Sequence, residues 1–326
     1  MMTDELNKSR LREMFRTMLI SRALDERVWI LNRQGKAAIA ASAQGHEASQ
    51  VACIEALDPS LDHFLIYYRQ FTVMLALGTT PEEQLRTFLA KDGEIMSGAR
   101  QFPLHGSHPR VDLFSFSNVV GTQLPQAVGV ALADKMRDSN AVTVAFFGDG
   151  AASQGDCHEA MNFASIHSLP VIFFCENNGY AISVPLSKQM AVENISSRAA
   201  GYGMPGVLVD GTDIFDVFEA TSEAVNRARR GDGPTLIESI VERLLPHTTD
   251  DDHSKYRRKD DIEGLSRRDP LPITAEKLIS INVLSKSDIQ MMEKEAKLIV
   301  DDATEKISNE PYPSVETMLL HSDLEF

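Results

Sequence analysis

The sequence predicts an α/β protein in which a parallel sheet is flanked by helices, with helical extensions at the N- and C-terminal ends. Three observations carry that prediction. Between Ala141 and Arg243, short β-rich runs alternate with helical segments, and such alternation implies β-α-β units whose crossovers cover both faces of a parallel sheet. The runs "VTVAFF" and "VIFFC" are apolar throughout, as strands buried on both faces are. A chain of 326 residues with 43% hydrophobic content is long enough for one large core or two modest domains.

The elements follow in chain order. Leu11, Met14, Phe15 and Met18 recur at helical spacing, which predicts an amphipathic first helix ending near Gly35 within an N-terminal extension, 1–40. Its apolar stripe is expected to pack on the main core or on a partner chain. The α/β core, 141–243, is read as "VTVAFF", a helix from about Asp156 to Ser168, "VIFFC", "VLVD", a helix from about Phe215 to Arg230 closed by Gly231 to Pro234, and "TLIESIVER". Beyond Arg243 the chain turns polar through "PHTTDDDHSKYRRKDD", which predicts a mobile loop over 244–270. Helical patterning resumes from about Thr274 to Asn309 in a C-terminal tail, 271–326. No internal repeat is present, and the whole reads as a single domain.

Composition excludes several classes of function. A net charge of −15 leaves little to attract a phosphate polymer, because nucleic-acid binders concentrate Lys and Arg on the backbone they meet. No membrane span is needed. Cys53, Cys157 and Cys175 show no paired spacing, and the last two lie in or beside apolar runs; they read as reduced core thiols. The N-terminus carries charges throughout and lacks a signal peptide's uninterrupted apolar stretch, so a cytoplasmic protein is expected.

The chemistry concentrates in "FFGDGAASQGDCHEAMNFASIHSLPVIFFCENNGYAIS". Ligands of an open parallel sheet sit at the carboxyl ends of the strands, and Asp149 follows the first of these two strands directly. Gly148 and Gly150 keep side chains away on either side of it, so backbone can approach an anion while the carboxylate faces a cation. The second strand delivers Asn177 and Asn178 to the same edge. Mg²⁺ takes about six oxygen ligands, few of them from protein when phosphate and water supply the rest. Asp149, the Asn178 side chain and the Tyr180 carbonyl could provide three. A Gly-Asp-Gly or an Asn-Asn-Gly alone is more often a turn. Both together, separated by a helix and a buried strand, favour a metal-diphosphate site.

These motifs resemble the thiamine diphosphate fingerprint. With "QGHEA", "YYR", "GTQLPQAVG", "GYGMPG" and "GDGPTLIE", the chain is similar over most of its length to the alpha subunit of the decarboxylating component of 2-oxoacid dehydrogenase complexes. "CENNGYAISVP" and "RLLPHTTDDDHSKYR" look most like branched-chain members of bacterial type. The resemblance implies a thiamine diphosphate-binding fold carrying only the diphosphate-binding module. It implies Mg²⁺ held by Asp149, Asn178 and Tyr180, and a cofactor bounded by Tyr68, Arg69, Val120, Gly148, Gly150, Ala151 and His247. His247 and His105 become catalytic candidates, although His108 competes with His105 for that match. A planar Arg fork suits phosphate, and a histidine can switch protonation near neutral pH. In some relatives the stretch of Ser117, Thr122 and Gln123 binds a monovalent cation; helix capping by Thr122 is an equal alternative. Glu176 departs from relatives that place a phosphate-binding arginine there, so Arg69 and any basic loop residue must carry more of the diphosphate charge.

The implied partners are a beta subunit in an α2β2 heterotetramer, which supplies the carboxylate that activates the cofactor, and a lipoyl-bearing acyltransferase. The apolar face of the first helix is one argument for a large interface. The implied reaction is oxidative decarboxylation of a small 2-oxoacid with acyl transfer to lipoyl groups. By the same resemblance "GKAAIAASAQGHEA" lies near the substrate, where Ala37, Ala38, Ala40 and Ala41 leave space that favours branched chains; ordinary helix or close-packing alanines are the alternative. A pyruvate or acetoin dehydrogenase alpha subunit, and a non-catalytic scaffold paralogue, are the alternatives.

Overall fold

The computed structural model describes residues 6–320. Helix α1 (Lys8–Arg33) starts where the Asn7 side chain accepts from the Arg10 N–H at 3.0 Å, an N-cap that satisfies one of the free donors of the first turn. Four further helices, α2 (Glu47–Glu55), α3 (Phe71–Ala76), α4 (Pro81–Leu89) and α5 (Gln123–Met136), precede the region where alternation was read. Two short strands stand among them, β1 (His63–Leu65) and β2 (Leu113–Phe114). The predicted core follows as β3 (Thr143–Gly148), α6 (Gly155–Ile166), β4 (Val171–Asn177), β7 (Gly206–Asp210), α7 (Ile214–Arg229) and β8 (Thr235–Ile240), with a small hairpin of β5 (Tyr180–Ala181) and β6 (Val184–Pro185) after β4.

The sheet has the order β2-β1-β3-β4-β8-β7 and every pairing in it is parallel. It therefore reaches outside 141–243, because β1 and β2 join it from earlier in the chain. They span three and two residues, too few for a periodic signal. Side chains alternate across the sheet. Val144, Phe146, Ile172 and Phe174 join a core with α1, α2, α7 and α10 (Lys286–Ser308). Ala145, Phe147, Phe173 and Cys175 face the other way, onto α5 and α6. All three cysteines are free and buried. Among the described residues no helix is long and apolar enough to cross a membrane.

Helix α1 corrects one expectation. Leu11, Met14, Phe15 and Met18 are at most 3% exposed within this chain, packed with α10, α2 and α3, so that stripe is not left for a partner. The 244–270 segment is also more structured than a loop. It contains a 3₁₀ turn at His253–Lys255, helix α8 (Lys259–Gly264) and a second 3₁₀ turn at Leu265–Arg268. The tail is two helices rather than one: α9 (Pro270–Ser280) ends at Ile281, Asn282 adopts φ 57°, and Ser285 starts α10 with a reciprocal capping box to Asp288.

The β3–β4 pair is the centre of this packing, with the Phe146 and Phe174 ring centroids 5.3 Å apart and both side chains fully buried. Phe174→Ala is expected to cost about 3–5 kcal/mol, read by denaturant unfolding; a loss under about 1 kcal/mol would refute the central role of this pair.

Candidate active site

Parallel pairing aligns Gly148 with Glu176, so β3 and β4 end at one edge and release Asp149 and Asn178 side by side. A cavity of about 380 Å³ opens there, lined by Tyr68, Arg69, Val120, Gly148, Asp149, Gly150, Ala151, Asn178, Tyr180 and His247 among others. The structure thus brings every predicted cofactor-binding residue to one space. Tyr67, Asn118, Gln154 and Ile182 also line it and were not anticipated; Gln123, read as part of a monovalent-cation stretch, lines it too.

The metal edge is built from local turns. Asp149 is 2% exposed; its Oδ2 accepts from Gln189 Nε2 at 2.7 Å, and burial pushes its carboxyl above the ordinary range. Asn178 Oδ1 accepts from the Tyr180 N–H at 3.2 Å, which folds the chain so that both residues face the cavity. Asn177 turns away, donating to Glu238 Oε1 at 2.7 Å. Gly150 is required, because a Cβ there would come within 2.8 Å of the Ala181 Cβ. Gly148 is not: a Cβ would meet only the Glu176 carbonyl oxygen, at 3.8 Å. Among the described residues no group of three or more His, Cys, Asp or Glu side chains could hold a metal. A cation at this edge must therefore combine one carboxylate with amide and carbonyl oxygens and take its remaining ligands from an anion. That donor set fits Mg²⁺ with a diphosphate.

The anion's side of the site carries unneutralised positive charge. Arg69 and Arg243 are 1% and 0% exposed, and among the described residues neither pairs with a carboxylate. Arg69 donates to the Ser42 carbonyl and, from Nη2, to His247 Nδ1 at 3.2 Å. Arg243 donates to His247 Nδ1 at 3.4 Å, to the Ile182 carbonyl at 3.0 Å and to the Tyr256 hydroxyl at 2.7 Å. Burial, then the charge of Arg69, lowers Arg243 to about 10. Two buried guanidiniums around one cavity call for an anion. Arg243, just before the 244–270 segment, stands behind the wall residues His247 and Ile182 rather than on the cavity surface. From sequence it reads only as the polar end of a strand, "IVER".

His247 does not behave as the near-neutral switch its residue type suggested. Its Nδ1 accepts from two guanidiniums, so the ring proton resides on Nε2. Burial, then Arg69 and Arg243, holds its pKa down to about 3, with Asp251 opposing. The imidazole is a neutral N–H donor, oriented further by the Tyr68 ring at 5.8 Å edge-to-face. Asp251 accepts from the His247 backbone N–H at 2.8 Å and from the Tyr256 hydroxyl, which fastens this part of 244–270 to the site. Glu176 is absent from the cavity wall: alternation along β4 turns it to the opposite face from Cys175.

A second cavity of about 390 Å³ adjoins the first, sharing Tyr68, Asn118 and His247, and is otherwise formed by Ile39, Ala40, Ala41, Phe88, Phe102, Pro103, His105 and Thr248. Of the four alanines expected there, Ala40 and Ala41 are in place; Ala37 is buried in the main core and Ala38 is exposed. His105 and His108 now separate. His105 donates Nδ1–H to the Pro103 carbonyl at 2.9 Å, leaving a buried Nε2 without a protein partner on the cavity side. His108 lines neither cavity and accepts from the Arg110 N–H at 3.3 Å. Thr122 does not cap α5 with its side chain; its hydroxyl donates to the Val119 carbonyl at 3.0 Å. Ser117 accepts from the Val119 N–H, and Gln123 donates to the Phe146 carbonyl.

Nitrogen NMR of the cofactor-free protein is expected to find His247 as the Nε2–H tautomer, with no proton uptake as pH falls through 6.5. Arg243→Met should raise its pKa, since removing a nearby cation favours the imidazolium. A wild-type titration near 6.5 would contradict the geometry.

Comparison with known proteins shows the family. The family described as dehydrogenase E1 component matches residues 15–316. The 2-oxoisovalerate dehydrogenase subunit alpha of Bacillus subtilis is 48% identical over 94% of this chain and 93% of its own length. The 3-methyl-2-oxobutanoate dehydrogenase subunit alpha of Mycobacterium tuberculosis is 40% identical over 82% of this chain and 70% of its own. The pyruvate dehydrogenase E1 component subunit alpha of Staphylococcus aureus is 40% identical over 83% of this chain and 70% of its own. A family match over residues 15–316 and a relative 48% identical over nearly both full lengths lead to one conclusion: this chain belongs to the dehydrogenase E1 component family.

Proposed function

We propose that the chain is the alpha subunit of a branched-chain 2-oxoacid dehydrogenase. It uses Mg²⁺ and thiamine diphosphate to decarboxylate a branched 2-oxoacid oxidatively and delivers the acyl group to a lipoyl-bearing acyltransferase. The observation that carries this reading is one cavity walled by a buried carboxylate, Asp149, and a buried guanidinium, Arg69, with a second buried guanidinium, Arg243, behind the cavity residues His247 and Ile182. An E1 component relative 48% identical over almost both full lengths, named for 2-oxoisovalerate, supports the substrate class.

When bound, the cofactor supplies the electron sink that lets a 2-oxoacid lose CO₂. The chain's own residues prepare the space around it. Asp149, Asn178 and the Tyr180 carbonyl would hold Mg²⁺. Arg69 would meet the diphosphate, and Arg243 would add its field from behind His247 and Ile182. His247 presents Nε2–H at the wall shared by the two cavities, where it can donate to an oxygen of the reacting substrate; His105 offers its free Nε2 as an acceptor in the adjoining cavity. Phe88, Phe102, Ala40 and Ala41 exclude water around the acyl chain. Among the described residues Asp149 is the sole acid lining either cavity, and it would be taken up in holding the metal. The carboxylate that activates the cofactor's pyrimidine must then come from a beta subunit, consistent with an α2β2 assembly. A scaffold role would leave the buried cations and the tautomer-locked histidine without a use.

Asp149→Ala should abolish Mg²⁺-dependent thiamine diphosphate binding by the α–β assembly in calorimetry while circular dichroism stays unchanged. Undiminished affinity would reject the metal assignment. In the reconstituted enzyme, 3-methyl-2-oxobutanoate should exceed pyruvate in kcat/KM by several-fold or more, since each buried methylene contributes about 0.8 kcal/mol; the chain without its beta subunit should show no turnover. Filling the second cavity with Ala40→Leu should lower that ratio roughly tenfold. A wild-type preference for pyruvate would move the chain to the pyruvate-specific members.

A further inference from the structure

We propose that Glu176 is a positioning residue that ties the diphosphate-facing arginine to the metal-facing amide; the proposal rests on the cofactor reading above. Glu176 stands at the end of β4, two residues before Asn178, and is 0% exposed. It shares its sheet face with Ile172 and Phe174, an otherwise apolar surface on which a buried carboxylate is costly unless fully hydrogen-bonded. It is met by three side-chain donors. His46 Nδ1 and Gln50 Nε2 lie 3.1 and 3.0 Å from Oε1, and Gln70 Nε2 donates to Oε2.

Two of these donors lead directly to Arg69. Gln70 is its neighbour in sequence. The Gln50 Nε2 amide also donates to the Arg69 carbonyl at 3.0 Å, so one side chain spans Glu176 and the Arg69 backbone. The carbonyl oxygens of Gln50 and Gln70 have no protein partner; both amides are turned to serve Glu176. Core packing alone does not account for this arrangement, because an apolar residue at 176 would take from His46 and Gln70 the acceptor they meet there and leave Gln50 only the Arg69 carbonyl. A carboxylate has acceptor capacity for every one of them, whereas a glutamine would set its own N–H₂ against them. This chain thus uses position 176 to hold Arg69 in register with Asn178.

The test is a double-mutant cycle on the α–β assembly, read by calorimetry with thiamine diphosphate and Mg²⁺ and by thermal unfolding. Glu176→Gln should weaken binding about tenfold or more, the usual size of an outer-shell effect. Arg69→Lys keeps the charge but loses the fork. In that background Glu176→Gln should change affinity by less than about twofold, because the placement it protects no longer matters. If Glu176→Gln does not assemble, Gln50→Ala removes the link to Arg69 while leaving Glu176 two donors, and should show the same coupling. Equal losses in both backgrounds, or wild-type affinity in the single variants, would overturn the positioning role alone. Absence of cofactor binding by the wild-type assembly would overturn this proposal together with the functional reading.

Discussion

The parallel register of β3 with β4 is the constraint on which the site depends. Thr143 pairs with Val171 and Gly148 with Glu176, so two strands that begin level also end level, and the residues just past them emerge at the same edge. The next pairing extends the arrangement: Asn177 aligns with Ile240 of β8, and the chain leaving β8 reaches Arg243 and then His247 within a few residues. Because side chains alternate along a strand, a slip of one residue would exchange faces along the whole strand. It would turn Glu176 toward α5 and α6 and strand its three donors in the core. Glu176 and the paired phenylalanines thus specify the register that the cofactor edge requires.

Around that edge the protein holds charge in a state that its own groups do not neutralise. Arg69 and Arg243 are buried without carboxylates, and their donors go to carbonyls, a hydroxyl and a histidine that stays neutral. Support comes from farther back. The Ser42 carbonyl that receives Arg69 belongs to a turn fastened by Asp25, whose Oδ2 accepts from the Ser42 hydroxyl at 2.8 Å and the Ala43 N–H at 2.6 Å. Burial raises that carboxyl to about 6. Gly45 lets the same stretch lie against β8's exit: its φ is +97° and a Cβ would collide with the Glu242 carbonyl oxygen at 1.7 Å. A site preorganised in this way gains when its anion arrives, since binding relieves cation repulsion and stabilises the fold by mass action.

Local pattern was sufficient for much of this molecule. The apolar runs of β3 and β4 are long enough to announce buried strands, and the polar residues that interrupt them, Asp149 and Asn178, stand where strands of an α/β sheet meet ligands. The stripe of α1 was equally legible, but its destination was not: periodicity shows that a face is apolar, and only the docked positions of α2, α3 and α10 show that the chain buries it internally. β1 and β2 escaped because three and two residues carry no period; they exist as strands by virtue of the neighbours that hydrogen-bond to them.

What the sequence by itself determined is therefore the α/β class, the two central strands, the helical ends and the placing of Asp149 and Asn178 at one strand edge, since each follows from spacing within a few tens of positions. Tertiary structure alone decided that Arg243 joins Arg69 around His247, that His247 is a fixed neutral donor, that His105 rather than His108 faces a cavity, and that Glu176 points inward. Each of these depends on partners distant in the chain: His46 and Glu176 are 130 residues apart, and Arg69 and His247 are 178 apart. Burial and hydrogen-bond satisfaction are properties of such convergences, and no local window contains them.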